Sequence, residues 1–133
     1  MVTDADEVRL VVPARPEFLR LARVTAAGLA GRLGFGYDEV EDLRLAVDEL
    51  CFALAGPQGR EGSVELLYLL APDRLTIEVR GRFPDGAPAS GFSNLSEVIL
   101  GALVDEHGMS SSPSGPGLHL TKRRRRTGGD GDG

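Results

Sequence analysis

Cysteine is almost absent: Cys51 is the only one in 133 residues, so no internal disulfide can form and disulfide-scaffold classes are excluded. Its place on a periodic apolar segment predicts a small buried side chain. Tryptophan is missing, and two histidines, His107 and His119, with one cysteine offer no metal-ligand spacing, so no metal site is expected. Neither histidine has a partnered nucleophile, and both are expected at surface or strand-edge positions. No apolar run of about 18 residues occurs, which leaves no candidate for a membrane-spanning helix. The start MVTDADE lacks the basic and apolar regions of a secretory signal, so the expected location is the cytoplasm and no membrane is expected as a partner.

What is present is an acidic body with a basic end. Lys122 to Arg126 hold five of the 15 basic residues, leaving 10 basic against 18 acidic side chains in residues 1–121, a balance of −8. Such a body repels a phosphate backbone and suits a basic protein partner, so nucleic acid is not an expected partner. The KRRRR run precedes TGGDGDG, whose glycines cannot support packing; it is read as a solvated tail, with an interaction arm as the lesser alternative. The expected organisation is a disordered N-terminus at 1–6, one domain at 7–122 and a disordered tail at 123–133.

Along the chain, EVRLVVPA at 7–14 reads as a strand. Pro16 then opens a first helix to about Arg32, with Phe18, Leu21, Ala22, Thr25, Leu29 and Leu33 as its apolar face. GFGY at 34–37 breaks it. Val40, Leu43, Val47, Leu50 and Leu54 are spaced three and four apart and predict a second helix, stopped by Gly56 and Pro57. SVELLYLL at 63–70 and RLTIEVR at 74–80 read as a hairpin, followed by a loop at 81–94. Leu95, Val98, Ile99, Ala102 and Leu103 predict a third helix as far as His107, and a loop at 110–117 leads to a last strand at 118–122. Three amphipathic helices and adjacent antiparallel strands predict a two-layer α/β sandwich, a mixed, mostly antiparallel sheet with helices on one face.

The second helix carries the most specific signal. LGFGYDEVEDLRLAVDELC resembles the corresponding segment of the anti-sigma-factor serine kinases, the RsbW-type branch of the GHKL (Bergerat-fold) ATPase superfamily. LARVT at 21–25, ALVDE at 102–106 and SSPSGPGLHLTKR resemble the family's first helix, last helix and closing strand, in order, over about residues 8–123. The resemblance is greatest to actinobacterial anti-sigma factors.

In that family a Glu is followed four residues later by an Asn, one turn away on the same face, so that a carboxylate can polarise a hydroxyl while an amide helps hold magnesium. Here Glu49 is present, but Ala53 stands in the amide's place. The Asp that accepts a hydrogen bond from adenine is replaced by Gly81, between Arg80 and Arg82. The glycine-rich phosphate lid is replaced by SNLSE at 93–97. Glu49 is therefore expected to be a remnant, a helix-surface glutamate with Asp48 and Arg44 nearby; a residual pocket contact and a catalytic base are the lesser readings.

The resemblance thus implies an anti-sigma factor that sequesters a stress- or sporulation-type sigma factor and is released by an anti-anti-sigma partner, without a cofactor. The alternative is an active serine kinase, using ATP and magnesium, that phosphorylates an anti-anti-sigma (STAS) protein. The resemblance also implies a homodimer and a docking surface on the first helix, where Arg23 meets both partners and Glu17 and Arg20 share the exposed polar face.

Overall fold

The computed structural model describes residues 6–84, 92–112 and 115–125, with side chains left aside at 110–112 and at 115 and 116. Eight elements follow one another: β1 (Asp6–Pro13), α1 (Pro16–Arg32), α2 (Tyr37–Ala55), β2 (Ser63–Ala71), β3 (Arg74–Arg82), α3 (Asn94–Leu103), β4 (Glu106–Ser112) and β5 (Gly115–Arg123). The strands form one five-stranded sheet in the order β1-β2-β3-β5-β4, and every neighbouring pair is antiparallel. The sheet is therefore not mixed among the described residues. The two-layer arrangement with helices on one face is as the sequence predicts: α1 lies over β1 and β2, α2 over β3 and β5, and α3 beside β4.

Period-two burial places Val64, Leu66 and Tyr68 of β2 and Leu75, Ile77 and Val79 of β3 under the helices. Leu43, Val47, Leu50 and Leu54 of α2 close on them, as their spacing requires. The core of α1 is rotated from the expected stripe. Leu19, Ala22, Ala26 and Ala30 are buried, whereas Leu21 is 45% exposed. Small alanines win that face because they let α1 approach β2 closely enough for the buried Tyr68 hydroxyl to donate to the Ala22 carbonyl at 2.9 Å.

The break after α1 is a complete backbone motif. Gly34 has φ +86°, its N–H reaches the Gly31 carbonyl at 3.1 Å, and the Phe35 N–H reaches the Ala30 carbonyl at 3.0 Å. Gly56, with φ +88°, ends α2.

Two expected loops and one helix end are corrected. The loop over 81–94 is strand as far as Arg82, and 85–91 lie outside the described residues. α3 ends at Leu103 rather than His107, and His107 lies in β4, a strand the sequence reading missed by taking 110–117 as a loop. Serine and glycine have little strand propensity, so EHGMSSS pairs because β5 offers it an edge and not through its own preference.

The basic end is corrected as well. Lys122 and Arg123 belong to β5, and Lys122 is buried: its ammonium donates to the Leu103 carbonyl at 2.7 Å and lies 3.3 Å from Asp42 Oδ2. The Arg123 guanidinium pairs with Glu106, the Arg124 N–H donates to the Asp73 carbonyl at 2.7 Å, and the Arg125 N–H to Glu39 Oε2 at 2.8 Å. The boundary at 122/123 thus cuts through packed chain; residues 126–133, like 1–5, lie outside the described residues. Among the described residues no helix is long and apolar enough to cross a membrane.

Candidate functional site

α2 is fixed before its functional residues are reached. Glu39, in its first turn, is buried and accepts the Gly36 N–H at 2.8 Å through one carboxylate oxygen and the Arg125 N–H through the other. Nearly three turns further along, the apolar stripe points into the core and Glu49 falls on the flank facing α3.

There its carboxylate has a partner far away in sequence. The Ser96 hydroxyl donates to Glu49 Oε2 at 2.5 Å. Ser96 is itself set by the start of α3: Ser93 is the N-cap, its oxygen accepting the Ser96 N–H at 3.0 Å while its hydroxyl lies 3.1 Å from Ser96 Oγ. A chain of hydroxyls therefore ends on the carboxylate, which also faces the positive end of the α3 dipole. The neighbours expected for Glu49 are engaged elsewhere: Arg44 pairs with Glu41 at 3.6 Å, and Asp48 with Arg23 at 3.0 Å.

At the positions where the resemblance expects the donors of a nucleotide site, the structure shows the following groups. Ala53 is buried and ends in a methyl group. Gly81 faces the helices, opposite Val64 of β2, and a Cβ there would lie 2.2 Å from the Phe83 ring, so the ring fills the space an acidic side chain would need. Arg60 stacks on the same ring at 3.8 Å. The SNLSE segment is the capped first turn of α3 rather than an open backbone cradle. Among the described residues no group of three His, Cys, Asp or Glu side chains could hold a metal ion. The Glu49 carboxylate is engaged by Ser96, and neither Ala53 nor Gly81 offers a polar side chain.

The second candidate surface lies where the start of α1 meets the end of α2. Arg23 Nη1 is 3.0 Å from Asp48 Oδ2, and both side chains are partly exposed. Arg23 Nε is buried and has no hydrogen-bond partner. Arg20 and Arg23 line an open cleft of about 230 Å³ together with Leu19, Asp48, Cys51 and Phe52. Glu17 and Arg20 are exposed on α1, so the structure brings Arg20 and Arg23 together at this cleft and leaves Glu17 one turn earlier. Glu49 belongs to the other flank of α2.

Sequence reasoning missed Ser96, Asp48 and Lys122 as partners of the residues it singled out, because the pairs Ser96–Glu49, Arg23–Asp48 and Lys122–Asp42 lie 47, 25 and 80 positions apart. Ser93 ahead of an apolar helix is a readable cap signal; that the next serine hydroxyl turns onto Glu49 is not readable.

Residues 12–124 match the family model of the histidine kinase-like ATPase domain. The chain is 38% identical over 124 residues to the serine-protein kinase RsbW of Bacillus subtilis (strain 168), covering 90% of this chain and 74% of that protein. It is 31% identical over 122 residues to the RsbW of Bacillus cereus (strain ZK / E33L), again 90% and 74%. With the RsbW of Bacillus pumilus (strain SAFR-032) it shares 39% over 79 residues, 56% of this chain and only 49%, about half, of the relative's length. Matched along nearly its whole described length, the chain belongs to the histidine kinase-like ATPase domain family, in its RsbW-like branch.

Proposed function

We propose that this domain is an anti-sigma factor that sequesters an alternative sigma factor of the stress or sporulation type without nucleotide and gives it up to an anti-anti-sigma partner. One observation carries the nucleotide-independent part: Glu49, the retained base position, is bound by Ser96 at 2.5 Å, and one turn along its helix Ala53 offers no ligand atom. Positioning supplies most of phosphoryl-transfer catalysis, so a single engaged carboxylate achieves little.

Binding is what the remaining features support. The α1 surface offers Arg23, oriented by Asp48, beside Arg20 and Glu17. Arginine suits such a dock because its planar fork pairs with carboxylates in fixed geometry. The same reading makes the protein a cytoplasmic homodimer.

The test is calorimetric titration with Mg-ATP beside a binding assay with a candidate sigma factor. No saturable heat is expected at about 1 mM ligand, a concentration at which a binding energy near 4 kcal/mol would register. The retained Glu49 favours the second reading, a serine kinase acting on an anti-anti-sigma (STAS) protein. Micromolar Mg-ATP affinity with phosphate transfer to a serine of that partner would establish it in place of the first.

A further inference from the structure

α1 buries Leu19, Ala22, Ala26 and Ala30, and across the helix from them stand Glu17, Leu21, Val24, Gly28, Gly31 and Arg32. All six are exposed, Leu21 by 45% and Val24 by 60%. The middle of this outer face therefore carries two apolar side chains and two glycines, and its only charges are at its ends.

The fold gives these glycines nothing to do. A glycine inside a helix weakens it relative to alanine, and it is suited to places where another backbone comes close. Yet a Cβ built on Gly28 or on Gly31 meets no described atom within 4 Å. The space they leave opens outward, beside the exposed Leu21 and Val24.

The face is also complementary to itself. Glu17 and Arg32 lie at opposite ends of α1, about 22 Å apart along its axis. Leu21 follows Glu17 by one turn, Gly28 precedes Arg32 by one turn, and Val24 is next to the midpoint. An antiparallel second copy related by a two-fold axis at that midpoint brings Glu17 to its Arg32, seats Leu21 over its Gly28 and lays Val24 against its Val24. Among the described residues neither Glu17 nor Arg32 is held in an ion pair, so both charges are available.

We propose that the outer face of α1 is a contact between two copies of this chain, an antiparallel helix pair with Leu21 and Val24 at its centre and a Glu17–Arg32 pair at each end. The inference rests on the homodimer of the proposed function and names its surface. A second copy fits better than a partner of one charge sign, because the acidic end and the basic end of the face are both matched. Arg23 lies one residue and about 100° round the helix from Val24, toward Asp48 of α2, so its cleft stays open in the pair. One helix pair buries less than the roughly 1,600 Å² of a standard interface, so a weak dimer is expected, with a dissociation constant on the order of 100 μM.

Sedimentation of the full chain from about 10 μM to about 1 mM tests this, and the wild type should pass from monomer to dimer over that range. Gly28→Leu should weaken association at least about tenfold by blocking the seat of Leu21, without lowering the melting temperature, because leucine favours the helix more than glycine. Val24→Arg, which meets its own copy across the axis, should act in the same direction. Glu17→Arg and Arg32→Glu should each weaken association about threefold or more, and the two together should restore it, since exchanged ends still match. Val98→Arg, equally exposed but on α3, should change nothing. The proposal is overturned if the wild type stays monomeric throughout, if Gly28→Leu and Val24→Arg leave the dimer intact, if the double charge exchange fails to restore it, or if Val98→Arg weakens it as much. A dimer that resists the α1 changes removes this surface and leaves the homodimer standing, whereas the Mg-ATP titration and the sigma-factor assay decide the anti-sigma reading independently.

Discussion

Ser96 donates its hydroxyl to Glu49 across 2.5 Å, joining the first turn of α3 to the middle of α2. A buried serine on a half-buried carboxylate is an interaction of structure, and it decides what substitution of Glu49 does. The sequence alone suggests that Glu49→Ala changes little. With the partner known, the substitution leaves the buried Ser96 hydroxyl without its carboxylate, at a cost of about 1 to 3 kcal/mol. Thermal unfolding should show Glu49→Ala several degrees below the wild type, and Arg44→Ala, which removes only the exposed pair with Glu41, within about 0.5 kcal/mol of it. Equal stability of the two variants would remove the structural role given to Glu49.

Arg23→Ala should separate binding from folding. Its pair with Asp48 is partly exposed on both sides and contributes at most about 1 kcal/mol to stability. As a charge-assisted contact to a partner the same guanidinium is worth about 1 to 3 kcal/mol. Affinity for the sigma factor should therefore fall roughly tenfold or more while the melting temperature moves little. If affinity is unchanged in Arg23→Ala and lost in Glu49→Ala, the dock is not on α1.

The C-terminal residues should divide sharply between essential and dispensable. Truncation after Arg125 keeps every described contact of the chain end. Truncation after Arg124 removes the Arg125 N–H from the buried Glu39 carboxylate and should cost about 1 kcal/mol. Truncation after Thr121 removes Lys122, whose ammonium satisfies the Leu103 carbonyl at the end of α3, and should cost several kcal/mol or abolish folding. Denaturant unfolding of the three truncations gives the order directly; equal midpoints would mean that the segment is not packed in solution.

Cys51 should behave as a core group. Burial, and secondarily the nearby charge of Asp48, pushes its thiol up to about 12 from an ordinary value of 9.0. The folded state then holds its proton more tightly than the unfolded chain, so this contribution to stability is complete below pH 9 and is lost as pH rises from about 9 to 12. Disulfide reagents at pH 8 should modify Cys51 only at the rate of unfolding. Rapid labelling of the native protein would show the thiol to be accessible.

How far the sequence reached depends on the range of the interactions involved. α2 was legible along its stripe of Leu43, Val47, Leu50 and Leu54 and at its stop at Gly56, which are local signals of period and backbone freedom, while its start at Tyr37 falls inside the stretch read as a break. The hairpin of β2 and β3 and the Gly34 break were legible for the same reason. β4 was hidden because EHGMSSS carries no strand signal and exists through its pairing with β5. The core face of α1 was mistaken because Leu21 and Ala22 are adjacent, and only the approach of Tyr68 to the Ala22 carbonyl favours the smaller residue inside. Lys122 counts as tail charge in a linear reading and becomes a buried tie once Leu103 and Asp42 surround it. The sequence by itself determined the course of the helices and the central hairpin, since those depend on neighbours a few residues away. The partner of Glu49, the orientation of Arg23 by Asp48 and the packed chain end were decided only by tertiary structure, because each joins side chains that nothing but the closed fold brings within hydrogen-bonding distance.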